Sequence, residues 1–195
     1  MRDAAHFANH AAGVVVGKLG TASVSPLELM TAVSAAPTDV AKNVLPETRL
    51  VNVLNDLRAA GQRIVMTNGC FDLIHPGHVR YLQQAKALGD ALVVAVNDDD
   101  SVRRLKGESR PLNPLDDRMA VLGALGAVDF VVSFSEDTPA RLIEALAPDV
   151  LVKGGDYAVE QIAGHESVLA RGGDVRVLDF VDGHSTSGLI ERLND

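Results

Sequence analysis

Five short apolar runs rich in valine and isoleucine, at 64–67, 92–96, 130–133, 150–153 and 175–180, alternate with segments of helical pattern. This alternation constrains the fold more than any other feature of the chain. The intervening segments predict helices at 78–88, 115–125, 140–146, 161–171 and 186–193. Asn113-Pro114 and Thr138-Pro139 each set a capping side chain before a proline expected at the first helical position. Parallel strands need crossovers and helices supply them, so the pattern predicts an α/β fold, a doubly wound parallel sheet of about five strands. Ligands of such sheets bind beyond the carboxyl ends of the strands, where the strand order reverses. The loops after Thr67, Val96, Lys153 and Phe180 are therefore the places to look for a site.

Upstream the composition changes. Residues 4–36 are rich in Ala, Val and Gly and carry few charges, Ser25-Pro26 marks a helix start, and Pro37-Thr38-Asp39 breaks the pattern. The expected organisation is a mostly helical N-terminal extension over 1–45 and an α/β domain over 46–195. The single cysteine, Cys70, allows no intramolecular disulfide, and no Cys/His cluster has zinc spacing, which fits a reducing cytoplasm. No run of about 18 apolar residues is present to span a bilayer, and the start lacks the pattern of a signal peptide. A formal charge of −8 argues against broad binding to nucleic acid or to an anionic membrane. Within that acidic chain Arg103, Arg104, Lys106 and Arg110 fall close together, as a local phosphate site or a solvated basic loop requires.

The chemistry concentrates after the first apolar run, in Asn68-Gly69-Cys70-Phe71-Asp72-Leu73-Ile74-His75-Pro76-Gly77-His78, directly before a predicted helix. Pro76 suits a first helical turn, and Gly77 has no side chain to block a ligand. His75 and His78, three apart, share a face at the helix start. Free backbone N–H groups and the positive end of the helix dipole make that place an anion site, with two imidazoles as added donors.

The stretch GCFDLIHPGH resembles the signature of the nucleotidylyltransferase superfamily, which has a Rossmann-like sheet and includes cytidylyltransferases and adenylyltransferases of small phosphates. That resemblance implies phosphate contacts for His75 and His78 and puts Asp72 beside the reacting phosphates or their metal. Three downstream strings, YLQQAKALGDALVVAVNDDDSVRRLKGESRP, FSEDTPARLIEALAPDVLVKGGDY and GHSTSGLIERL, resemble the adenylyltransferase half of the bifunctional heptose kinase/heptose 1-phosphate adenylyltransferases of lipopolysaccharide-core synthesis. The implied nucleotide site comprises Gly69, Cys70, Phe71, Asp72, His75, Gly77, His78, Asn97, Arg118, Ser185, Thr186 and Ser187, with Lys106 on the triphosphate. Asp72, Lys153, Gly155 and Asp156 are implied for the substrate side. Arg118 either fixes phosphates or its loop, or pairs with Asp116 or Asp117 on its own helix. Ser185 and Thr186 cap a helix facing the nucleotide, or are an N-cap alone. No certain metal ligand is implied: Mg²⁺ arrives on the nucleotide phosphates, with Asp72 a candidate assistant.

The segment HFANHAAGVVVGKLGTASVSPLEL is similar to the last helical stretch of a ribokinase-like sugar kinase. The anion hole and catalytic aspartate of such a kinase lie outside this sequence, so the expectation is a segment without kinase activity, whether a remnant, an oligomer contact or a disordered leader, with a separate heptose kinase left open. The function expected is adenylyl transfer from ATP to a heptose 1-phosphate by a cytoplasmic homo-oligomer that binds neither nucleic acid nor membrane. Open alternatives are a glycerol-phosphate or ethanolamine-phosphate cytidylyltransferase, a flavin or pantetheine adenylyltransferase, and a nonenzymatic nucleotide-binding module. A class I tRNA synthetase shares the H-x-G-H idea, but the acidic chain offers no tRNA surface.

Overall fold

A computed structural model describes residues 43–178, with the isolated pair 24–25. The expected helices at the Ser25-Pro26 start and over 186–193, and Ser185, Thr186 and Ser187, lie outside the described residues. The chain divides into two compact units, Met1–Asp39 and Val40–Asp195, and the sheet and its helices belong to the second.

In chain order the elements are α1 (Glu47–Ala59), β1 (Ile64–Gly69), α2 (Pro76–Lys86), β2 (Ala91–Asn97), α3 (Asp99–Lys106), α4 (Leu115–Gly123), β3 (Phe130–Phe134), α5 (Ala140–Leu146), β4 (Val150–Gly154), a 3-10 turn (Val159–Gln161), α6 (His165–Ala170) and β5 (Asp174–Leu178). The five strands form one sheet in the order β3-β2-β1-β4-β5, and every neighbouring pair is parallel. All seven residues of β2 are buried, as expected of a strand covered on both faces. Successive side chains of a strand point to opposite faces, and the two cores follow that rule. Ile64 and Met66 of β1 join Leu50, Leu54, Leu142, Ile143 and Val168 on the face of α1, α5 and α6. Val65 joins Tyr81, Leu82, Met119 and Leu122 on the face of α2 and α4. After β3 the chain returns to the far side of β1, so the order reverses between β1 and β4, and a crevice opens at their carboxyl ends.

Some local expectations are corrected. The prolines of Asn113-Pro114 and Thr138-Pro139 occupy the N-cap rather than the first helical position, and neither helix has a side-chain cap. The expected 161–171 helix is two pieces, because Gly164 lies between them at φ +87, where other residues are strained. A Cβ there would also meet Ile143 at 2.7 Å. Lys106 ends a helix instead of riding in a loop. Asp98 starts that helix by accepting the Ser101 N–H at 2.8 Å, and Asp99 and Asp100 favour its positive end.

Candidate active site

The crevice is a cavity of about 540 Å³, within the size range of small-molecule sites. One wall is the loop after β1, from Asn68 through Asp72, with His78 and Tyr81 from the first turns of α2. Asn97 at the end of β2 and Lys153 and Gly154 at the end of β4 close the floor. Lys106, Arg110, Tyr157 and Gln161 stand around the mouth.

His75 is the N-cap of α2 and Pro76 its first residue; the His78 N–H donates to His75 O at 2.9 Å, so the Gly77 N–H, between the two histidines, is the first-turn donor without a backbone partner among the described residues. The His75 and His78 rings stack, with centroids 3.9 Å apart and planes 31° apart. Phe71 covers His78 from another side, at 5.4 Å between centroids. Burial first, then the neighbouring His75, pulls the His78 pKa down to about 4, so His78 is neutral at physiological pH. Its Nδ1 is buried and has no hydrogen-bond partner among the described residues. A neutral donor with an unmet hydrogen-bonding group at a helix N-terminus is suited to an incoming phosphate oxygen.

Below the histidines, Tyr81 is held by its hydroxyl, 2.6 Å from Thr67 Oγ1 and donating to Val152 O at 3.3 Å, and burial raises its pKa to about 12. Lys153 donates to Asn68 O and Oδ1 at 3.4 and 3.3 Å. Burial lowers its pKa, and the charge of Lys106 adds to the effect against an opposing contribution from Cys70. The Cys70 thiol is pushed up by burial and sits 4.0 Å from Asn97 Oδ1, a packed group without nucleophilic character. Among the described residues Lys106 makes no ion pair, while Arg103, Arg104 and Arg110 pair with Asp100, Asp137 and Asp72. The basic cluster is thus mostly self-neutralised, and Lys106 is its exposed, unengaged cation.

The structure brings Gly69, Cys70, Phe71, Asp72, His78, Asn97, Lys106 and Lys153 to the cavity lining. His75 stands directly behind His78, and Gly77 is buried in the first turn of α2. Gly155 and the exposed Asp156 follow β4 but do not line the cavity.

For Arg118, expected to fix phosphates or its loop or to pair on its own helix, the structure shows loop contacts. It is 2% exposed and lies off the lining, and its partner is Asp99 at 2.8 Å, not Asp116 or Asp117 of its own helix. Its remaining donors reach Cys70 O at 2.5 Å, Asn97 O at 2.9 Å and Asn113 O at 3.0 Å. Arg118 therefore fixes the loops that carry the site. Asp72 is likewise engaged: Oδ2 accepts from Arg110 Nε at 2.5 Å, and Oδ1 accepts from the Leu112 and Asn113 N–H groups at 2.7 and 3.0 Å. With its side chain 1% exposed, it ties its loop to the Arg110–Asn113 segment. No group of three or more His, Cys, Asp and Glu among the described residues could hold a metal ion.

Asn68, Tyr81, Leu105, Tyr157 and Gln161 also line the cavity and were not among the sequence-derived site residues, and of the basic cluster Arg110 joins Lys106 there. Tyr81 had a readable signal, since it stands three residues after His78 on the same helix face.

A parallel sheet with this strand order, a phosphate-ready helix start at its switch point and an unengaged lysine at the rim define a nucleotidyltransferase. The family model described as cytidylyltransferase-like matches residues 66–192. The chain belongs to the cytidylyltransferase-like family. It is 63% identical over 186 residues to the "Bifunctional protein HldE" of Alkalilimnicola ehrlichii, covering 95% of this chain and 39% of that protein. To the protein of the same name from Halorhodospira halophila it is 61% identical over 194 residues, covering 99% of this chain and 41% of the other. The chain thus spans about two fifths of the length of the curated relatives it matches. Among solved structures it is similar to the lipopolysaccharide core biosynthesis protein from Thermoplasma volcanium, with 30% identity, TM-score 0.50, and coverage of 62% of this chain and 98% of that one. Pantoate-beta-alanine ligase from Francisella tularensis, 14% identical with TM-score 0.53 over 74% of this chain and 69% of that one, shares the fold alone.

Proposed function

We propose that this chain transfers AMP from ATP to D-glycero-β-D-manno-heptose 1-phosphate, releasing pyrophosphate and forming ADP-heptose for lipopolysaccharide-core synthesis. The observation that carries the reading is the stacked His75–His78 pair at the start of α2, opening on a switch-point cavity. Two likenesses support the choice of acceptor. The downstream strings resemble the heptose adenylyltransferases, and a structure 30% identical to the chain is that of a lipopolysaccharide core biosynthesis protein.

A sugar 1-phosphate is already an anionic nucleophile at neutral pH, so its attack on the α-phosphorus needs no general base. One P–O bond forms, the bond to the bridging oxygen of pyrophosphate breaks, and the pyrophosphate leaves with the electron pair. The protein's task is to orient the two phosphates and to meet the charge that develops. In this reading His78, backed by His75, donates to phosphate oxygens, and Lys106 meets the β- and γ-phosphates as pyrophosphate departs. Lys153, desolvated beside Asn68, supplies a short-range positive charge on the acceptor side. Mg²⁺ bound to the triphosphate would supply further charge neutralisation.

The reading carries with it a cytoplasmic homo-oligomer and leaves open where the heptose kinase resides. No helix of the described residues is long and apolar enough to cross a membrane, which is compatible with it. The test is a panel of the four nucleoside triphosphates against heptose, glycerol and ethanolamine phosphates, scored by pyrophosphate release. ATP with heptose 1-phosphate should exceed every other pair. Preference for CTP with a polyol phosphate would replace the acceptor and base, and no release with any pair would leave a nonenzymatic nucleotide-binding module.

A further inference from the structure

We infer that Arg110 is a phosphate-binding residue of the cavity and that Asp72 is the positioning residue that aims it. Arg110 lines the cavity, and its side chain is 17% exposed. The one hydrogen bond of that side chain to a described residue runs from Nε to Asp72 Oδ2, so the two terminal nitrogens, the fork that grips phosphate oxygens, are not used within the described residues. A guanidinium tied at Nε and free at both terminal nitrogens has lost most of its rotational freedom before any ligand arrives.

The tether is itself held. Asp72 Oδ1 accepts from the Leu112 and Asn113 N–H groups, and the Asn113 amide donates back to Asp72 O at 2.6 Å. Arg118 then joins Asn113 O to Cys70 O. The carboxylate thus fixes the segment that bears Arg110 to the loop that leads into His75 and His78, so cation and imidazoles are set against one another through a single buried group. The inference rests on the cavity being a phosphate site but not on which sugar it uses. The phosphate that Arg110 meets belongs either to the nucleotide or to the acceptor, and the experiment separates these.

Binding of ATP, inorganic pyrophosphate and heptose 1-phosphate is measured by calorimetry, without turnover, for the wild type, Arg110→Lys, Asp72→Asn and the double variant. Lysine keeps the charge but cannot bond Asp72 and a phosphate together. Asparagine can still accept from Leu112 and Asn113 while turning a donor toward Arg110. Each single variant should weaken at least one of the three ligands tenfold or more. The double variant should bind no worse than the weaker single one, because Asp72 acts through Arg110. Losses in ATP and pyrophosphate assign the fork to the nucleotide, and a loss in heptose 1-phosphate alone assigns it to the acceptor. A merely structural Asp72 would lower the melting temperature and leave affinity well below that temperature unchanged. Wild-type affinity for all three ligands in Arg110→Lys would overturn the binding role, and multiplicative losses in the double variant would overturn the positioning role. Should Asp72→Asn not fold, Asp72→Glu, which keeps the charge but moves it by one methylene, takes its place in the cycle. Because ATP and pyrophosphate binding do not depend on the acceptor, a chain that proved inactive on heptose would leave these outcomes readable.

Discussion

The loops that follow β1 and β4 border the same cavity yet are built in opposite ways. After β1, Phe71 is held at φ +48 and 6% exposed, Asp72 is spent on three donors, and Arg118 ties Cys70 O to the end of β2 and the start of α4. After β4, Gly155 bonds to Leu178 O, Tyr157 to Gly155 O, and the Ala158 N–H to Gln161 Oε1, while Asp156 is exposed and Tyr157 is 47% exposed. The first loop is fixed by Arg118 of α4 and by the Arg110–Asn113 segment before that helix; among the described residues the second is fixed by its own local turns and one strand neighbour. Under the proposed chemistry this division is expected. Phosphate geometry is the same for every acceptor and benefits from preorganised donors, whereas in the proposed chemistry the loop after β4 would meet the acceptor.

The strongest way to break the comparison is to remove the tie. Arg118→Met deletes a buried cation and leaves Asp99 and three carbonyl oxygens without their donor. Asp99 is 30% exposed, so the cost falls mainly on the carbonyls left without a donor, about 1–3 kcal/mol each and about 3–5 kcal/mol together. Denaturant unfolding should show a loss of that size, against almost none for Arg103→Met, whose pair with Asp100 is on the surface. Equal losses in the two variants would mean the β1 loop is no more firmly held than a surface pair.

Next in size is the chemistry of the fixed loop. His75→Ala and His78→Ala should each lower turnover by about a hundredfold, since each removes a donor aimed at developing phosphate charge. Circular dichroism should stay near wild type, because the sheet does not depend on either ring. Folded variants with near-normal turnover would remove the proposed mechanism.

Burial of His78 also has a pH consequence. Its pKa is about 4 in the folded protein, against 6.5 for an unperturbed histidine. Between those values the unfolded chain binds the proton and the folded one does not. The contribution is therefore fully present above pH 6.5 and is lost as pH falls through about 4. His78→Gln should flatten this acid limb of stability, read as the melting temperature in steps from pH 7 to pH 4. An unchanged limb would mean that His78 is not desolvated by Phe71 and His75.

The two loops also differ in how much of them could be read from residues alone. The run GCFDLIHPGH placed a phosphate site at a helix start, because dipole, free N–H groups and imidazole spacing are local properties. The five strands were legible for the same reason, since a run buried on both faces must be continuously apolar. Partnership across the fold was beyond reach of the sequence. Arg118 had two carboxylates on its own helix, Asp116 and Asp117, but bonds to Asp99, brought near only when α3 and α4 pack. Asp72 reads as a residue beside the reacting phosphates or their metal, and its partners Arg110, Leu112 and Asn113 come from a segment about 40 residues away. The helix α3 was readable and missed: Asp98-Asp99-Asp100-Ser101 is an N-terminal signature, and seeing it would have put Lys106 at a helix end.

The smallest effect is expected on the loose loop, and it sharpens the comparison most. Tyr157 borders the cavity with 47% of its surface exposed, and no hydrogen bond of its side chain ties it to the described residues. A half-exposed aromatic ring offers an apolar face with a hydroxyl at its tip, which suits the mixed surface of a sugar. Tyr157→Ala should raise the KM for the acceptor by a few fold, about 1 kcal/mol or less, and leave the KM for ATP and the melting temperature near wild type. Tyr157→Phe, which keeps the ring, should recover part of the loss if the face matters and none if only the hydroxyl does. A change in the KM for ATP equal to that for the acceptor would show that the loop after β4 serves both substrates, and the division between a fixed phosphate side and an adaptable acceptor side would fail.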